Sequence, residues 1–196
     1  MNDFIVSCGS TADLSEETAK KRNIAVLPFC FRIGETDYAD DFGKSISNEE
    51  FYKLTSGGAK VKTSQISSGR YVEFFEPFLK DGKDVLHVTL SSGLSGTYES
   101  CLSAKKELEE KYPERKVYVI DSLCGSMGYG MQVLSAADYR DEGRSAAEIA
   151  ALLEEDRKKV KAFYFTPDLS AFIRGGRLSP AACFIGSLLK IVPLLG

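Results

Sequence analysis

The densest set of residues that could bind or react is Ser91-Ser-Gly-Leu-Ser-Gly-Thr-Tyr98, where hydroxyls and glycines crowd one short stretch. Hydroxyls and backbone N–H groups are neutral hydrogen-bond donors, and glycine admits the positive-φ turns in which several N–H groups converge. Val85, Leu86, Val88 and Leu90 precede the stretch as the apolar run of a buried strand, while Tyr98, Cys101, Leu102, Lys105 and Leu108 follow at helical spacing. A loop that leaves a strand and opens a helix adds first-turn donors and the positive end of the helix dipole. The chemistry this favours is the holding of an anion. The loop carries no lysine or arginine, so it suits one carboxylate or one phosphate better than a polyphosphate. The same residues also make an ordinary tight connection and helix cap, and the residues alone leave that alternative open.

Two catalytic patterns come close and miss. Gly93-Leu-Ser-Gly-Thr97 lacks the G-x-S-x-G spacing of a hydrolase elbow. A serine hydrolase would need Ser95 as nucleophile and His87, the sole histidine, as base, although His87 lies inside the preceding strand. Gly43-Lys-Ser45 resembles the end of a nucleotide-binding loop, but Tyr38 stands where its first glycine belongs and Asp40 and Asp41 precede it. The five cysteines, Cys8, Cys30, Cys101, Cys124 and Cys183, form no C-x-x-C pair and read as buried free thiols. A second polar cluster, Thr63-Ser-Gln65, stands before the oily helical face of Tyr71, Val72, Phe74, Phe75, Phe78 and Leu79, as the mouth of a lipid slot would.

These clusters need a scaffold. Phe4 to Cys8 and Ile24 to Phe31 read as strands on either side of a short helix from Glu16 to Arg22, and that order predicts a parallel sheet with helices packed on it. Further strands are expected at Lys116–Asp121 and Lys161–Thr166. Helices are expected after the serines at 47, 67 or 68, and 145, from Tyr98 to about Lys111, and over Gly125–Arg140. In an open α/β sheet, ligands lie beyond the carboxyl ends of the strands, so Ser7–Ser10, Ser91–Ser92 and Asp121–Ser122 are expected to share one crevice. With a formal net charge of −3 the chain shows no basic surface for nucleic acid, and no apolar run is long enough to span a membrane. Cytoplasmic residence is the expectation. From Ser179 onward only Lys190 is charged, so this apolar tail is expected to be covered by missing chain, by a partner or by self-association.

Four motifs in order, Ser10-Thr-Ala-Asp-Leu14, Thr63-Ser-Gln65, Ser91 to Tyr98 and Arg174-Gly-Gly-Arg177, resemble the DegV family of bacterial fatty-acid-binding proteins, and the likeness runs from Phe4 to Leu195. The resemblance implies an α/β fold, mostly a parallel sheet with helices on both faces, over 1–160. It implies that 161–196 begins a second lobe that is cut short. It further implies a long-chain fatty acid whose carboxylate meets Thr63 and Ser92, with Ser64, Ser91 and Ser95 in the same cradle. The protein would then be no enzyme and need no cofactor or metal, presenting its cargo to a separate fatty acid kinase that forms the acyl phosphate. Arg174 and Arg177 would meet that kinase or a phosphate, or merely the carbonyls of a helix end. Three departures stand out: Gly9 replaces a usual Asp, Ile66 a frequent Pro, and the histidine that the second lobe commonly supplies to the carboxylate site is absent.

Overall fold

In this computed structural model, residues 3–165, 173, 175–177 and 194–195 are described. Cα proximity divides the chain into two units, Met1–Val160 and Lys161–Gly196.

The first unit opens with β1 (Phe4–Gly9), a one-turn 3-10 segment and α1 (Glu16–Lys21), whose first turn is capped by Ser15 Oγ accepting from Thr18 N–H at 3.0 Å. β2 (Ile24–Leu27) then pairs parallel to β1. The expected strand from Ile24 to Phe31 is in fact two. Pro28 has no N–H to continue a ladder, and Phe29 N–H turns instead to Ser10 Oγ at 3.0 Å. The chain restarts as β3 (Cys30–Ile33), reverses at Gly34 (φ 60°) and returns as β4 (Thr36–Ala39).

After α2 (Asn48–Ser56), capped by Ser47, β5 (Val61–Ser64) pairs antiparallel with β3, completing a small sheet of order β4-β3-β5. There follow α3 (Ser68–Lys80), β6 (Asp84–Thr89), α4 (Thr97–Lys111), β7 (Val117–Asp121), α5 (Ser126–Asp141) and α6 (Ala146–Asp156). Ser145 and Glu148 close a reciprocal capping box on α6.

The main sheet is wholly parallel, in the order β2-β1-β6-β7. Parallel sheets are buried by helices. Ile5, Val85 and Val117 of the sheet pack with Tyr71, Phe75 and Leu79 of α3 and Cys101, Ala104 and Leu108 of α4, while α5 and α6 also lie against its strands. The connections run outward in opposite directions from β1 and β6. The strand order therefore reverses between those two, which is the topological switch point of an open α/β sheet.

In the second unit β8 (Tyr164–Phe165) pairs antiparallel with β9 (Leu194–Leu195). Arg174 and most of the apolar run from Ser179 lie outside the described residues. No helix among the described residues is long and apolar enough to cross a membrane.

Candidate functional site

At the carboxyl end of β6 the serine loop is held from within. Ser91 is buried; its N–H donates to Cys124 C=O at 3.0 Å, and its own carbonyl accepts from Leu94 and Ser95 N–H at 3.0 and 3.2 Å. Its Oγ accepts from Gly93 N–H at 3.2 Å. Ser92 N–H donates to Asp121 Oδ1 at 3.1 Å, and Ser92 Oγ donates to Asp121 Oδ2 at 2.6 Å. The amides of residues 92–95 are thus committed inside the protein, and the loop presents hydroxyls to its surroundings rather than a nest of N–H groups. Ser92, Gly93 and Leu94 are exposed. Ser95 Oγ accepts from Thr97 N–H and bonds Thr97 Oγ1 at 2.9 Å, while Gly96 at the N-cap brings no side-chain acceptor to the first turn of α4.

Asp121 owes its place to β7, which runs parallel beside β6 with Thr89 opposite Asp121. Its carboxylate also accepts from Leu123 N–H at 3.1 Å, and its backbone carbonyl accepts from Arg157 Nη1 at 2.9 Å. Nearby, the Tyr98 phenol is raised by partial burial and then by the negative charges of Asp121 and Glu154, against the opposing Arg157.

Thr63 and Ser64 are exposed on β5, opposite Phe31 and Cys30 of β3. As consecutive strand residues they project to opposite faces of the small sheet. The Thr63 rung continues through Phe31 to Tyr38, whose rings stack at 5.6 Å, with Phe51 edge-on to Phe31 at 5.5 Å. Two residues past Thr63, Gln65 lies against Gly96, where a Cβ would come within 2.5 Å of Gln65 Oε1. Gln65 Nε2 donates to Ser100 Oγ at 3.4 Å, and Ile66 N–H donates to Thr97 Oγ1 at 3.3 Å. Ile66 is buried in the α3/α4 core. The two polar motifs, separate in sequence, are latched together by Gln65 and Ile66 at the mouth of α4.

A family model described as uncharacterised protein, DegV family, matches residues 5–196. The chain belongs to the DegV family. A DegV domain-containing protein of Clostridium perfringens is 37% identical over 195 residues, covering 100% of this chain and 67% of that one. The crystal structure of DegV from Bacillus subtilis, named a fatty acid binding protein, is 32% identical with a TM-score of 0.84, covering 100% of this chain and 68% of that one. A DegV family protein from Thermus thermophilus, whose structure concerns fatty acid binding, is 29% identical with a TM-score of 0.82, covering 100% and 67%. The chain spans about two thirds of the length of these DegV relatives.

In this DegV chain the switch point between β1 and β6 is occupied. Tyr129 of α5 is fully buried, and its hydroxyl accepts from Gly9 N–H at 2.6 Å and donates to Val88 C=O at 2.7 Å. α5 comes close enough for this because Gly130 faces the Ala12 carbonyl, with which any Cβ would collide. The Gly9 Cα is covered by Phe29, whose Cε2 would lie 2.6 Å from a Cβ there, so the ring fills the space that an Asp side chain would need. Where a single crevice along three strand ends was expected, Tyr129 bridges the ends of β1 and β6, while Ser92 and Asp121 join those of β6 and β7.

His87 is fully buried in β6. Its Nδ1 bonds Ser7 Oγ at 2.9 Å, and its ring meets Tyr71 and Phe75 edge-on at 5.3 and 5.1 Å. Burial pushes its pKa down to about 3. The hydroxyl bonded to His87 is thus that of Ser7, whereas Ser95 is bonded to Thr97, so the two members of the hydrolase pair serve different partners. Cys8, Cys101 and Cys124 are buried and Cys30 half-buried, none of them in a disulfide; desolvation raises Cys8 to about 12. Arg177 is exposed, with Nη1 donating to Gly175 C=O. No group of three or more potential metal ligands occurs among the described residues.

The sequence places Asp121–Ser122 at the expected crevice without giving Asp121 its role as the partner of Ser92, and Gln65 is visible there only as part of a motif. The one available signal was that two strands, β6 and β7, both end in hydroxyl or carboxylate residues.

Proposed function

We propose that this protein is a carrier of a long-chain fatty acid, not an enzyme, with the carboxyl group near Thr63 and Ser92 and the acyl tail in an apolar slot. The observation that carries the proposal is the latch of Gln65 and Ile66 on the start of α4, which sets the Thr63 strand against the serine loop. Ser92 and Ser95 lie toward the mouth of this cradle; Ser91 shapes it from inside, and Ser64 would serve only from the opposite face of β5. The likeness to DegV proteins named for fatty acid binding supports the same reading.

Magnitudes divide the labour. Burying about 14 methylenes at ~0.8 kcal/mol each gives on the order of 11 kcal/mol before association costs. A hydrogen bond at the head adds about 0.5–1.5 kcal/mol when neutral and about 1.5–3 kcal/mol when charge-assisted. The tail therefore sets affinity and the head sets orientation. A head group at the exposed Ser92–Leu94 loop is open to a second protein, which fits delivery to a separate fatty acid kinase, with Arg174 and Arg177 as its docking residues. We assign 161–196 as the start of a second lobe and the apolar run within it as the surface that lobe or a second copy covers.

Native mass spectrometry of protein purified without added lipid tests the proposal. A retained acyl mass is expected, and Thr63→Val with Ser92→Ala should weaken uptake of a fluorescent fatty acid by roughly tenfold to a hundredfold. Absence of any acyl mass together with failure to bind the probe would refute it. Ester turnover abolished by His87→Ala would instead establish the hydrolase.

A further inference from the structure

Ser92 Oγ carries one proton, and that proton is given to Asp121 Oδ2 across 2.6 Å. The carboxylate cannot easily turn away, because Oδ1 is held by the Ser92 and Leu123 N–H groups at 3.1 Å each and the residue is 5% exposed. Toward a ligand, Ser92 then offers lone pairs. A fatty acid carboxylate also offers only lone pairs, and two acceptors facing each other repel. A carboxylic acid brings the missing proton.

We infer that Asp121 makes Ser92 a hydrogen-bond acceptor, so that the fatty acid is bound as its protonated acid, donating O–H to Ser92 Oγ. The inference rests on the carrier reading above. Loading from a neutral solution of carboxylate then takes up one proton from solvent for each molecule bound. Asp121 acts through Ser92 and is a positioning residue. Among the described residues, the charged groups that act on Tyr98 of α4 together with Asp121 are Glu99 of α4 and Glu154 and Arg157 at the end of α6, with Arg157 paired to Glu154 at 2.5 Å. No imidazole is among them; the one histidine of the chain, His87, is buried within β6.

The geometry also fixes what Asp121→Asn would do. Two N–H donors converge on Oδ1, so the amide oxygen must take that place and the amide nitrogen must take the place of Oδ2. The amide nitrogen then donates to Ser92 Oγ, and the serine proton is released for a carboxylate.

The test uses the full chain with two probes, dansyl-undecanoic acid and the matching dansyl-undecanol, titrated by fluorescence between about pH 6 and about pH 8. Above the ordinary carboxyl pKa of roughly 4.3, a ligand bound as its acid loses about tenfold in affinity per pH unit. Wild type should therefore bind the acid about a hundredfold more weakly at the upper end, and the alcohol equally at both. Asp121→Asn should bind the acid with no slope. Calorimetry of wild type in two buffers of different ionisation enthalpy, which needs no variant, should report uptake of one proton near pH 7.5. A flat acid titration, zero proton uptake, or a slope that survives in folded Asp121→Asn would overturn this inference and leave the carrier reading standing. Failure of wild type to bind either probe would overturn both.

Discussion

Tyr129→Phe removes a single oxygen from the gap between the ends of β1 and β6, and it separates architecture from ligand binding. That oxygen serves two backbone groups of different strands, accepting from Gly9 N–H and donating to Val88 C=O, at a side chain with no exposed surface. The ring is retained, so packing is nearly unchanged and the loss is polar. An orphaned buried donor or acceptor costs about 1–3 kcal/mol. The carbonyl has a second lone pair, which places the sum for the pair at roughly 2–4 kcal/mol. For a chain of this size each kcal/mol moves Tm by about 2–4 °C, so the variant should melt roughly 5–15 °C below wild type. Circular dichroism melts and urea titrations check this, and the urea midpoint should fall with the m-value unchanged. Fatty acid probe affinity, measured where both proteins are folded, should be unaltered because Ser92 and Asp121 lie on the other side of β6. A Tm within about 2 °C of wild type would refute the bridging role. Weakened probe binding at unchanged Tm would place Tyr129 in the ligand site and refute the separation.

Two other perturbations probe the same framework. Gly9→Asp drives a Cβ into the Phe29 ring at 2.6 Å and should cost about 1–3 kcal/mol by urea unfolding, with Phe29→Leu in the same chain restoring part of it; simple additivity of the two changes would contradict the clash. His87 has a folded value of about 3 against an ordinary 6.5, so the unfolded chain binds a proton in that interval that the folded chain refuses. Stability is therefore complete above pH 6.5 and falls as pH drops below it, by up to about 1.4 kcal/mol per pH unit. His87→Phe should flatten this limb between about pH 6.5 and about pH 5, and parallel curves for the two proteins would exclude His87 as its source.

What was legible in the sequence is what local chemistry writes there. Val85, Leu86 and Val88 announce β6, the serines at 47, 67 or 68, and 145 announce helix starts, and Tyr71, Phe75 and Leu79 mark the buried stripe of α3. The break at Pro28 was legible in principle, since proline cannot donate to a parallel ladder, but the flanking apolar residues hid it. The site was harder because its defining contacts join residues far apart in the chain. Ser92 to Asp121, Gln65 to Gly96 and Gly9 to Tyr129 bridge separations that no periodicity encodes. The serine loop shows why this matters. Its composition reads as a cradle of amides, yet Asp121 takes the amide of Ser92 and Ser91 takes those of Gly93, Leu94 and Ser95, which leaves hydroxyls at the surface.

The small sheet drawn from residues 30–64 gives the chain an order of assembly. Its hairpin closes over a few residues, β5 joins β3 across 34 positions at Cys30 and Ser64, and β1 must wait for β6 to arrive from 80 positions away at Phe4 and Asp84. Contacts between distant residues form slowly, and local ones form first. The hairpin can therefore stand early in folding, whereas β5 on β3 and Ser92 on Asp121, 29 positions apart, wait for longer loops to close, and the central pairing of β1 with β6 comes later still. Cargo can be held only by chains that have finished.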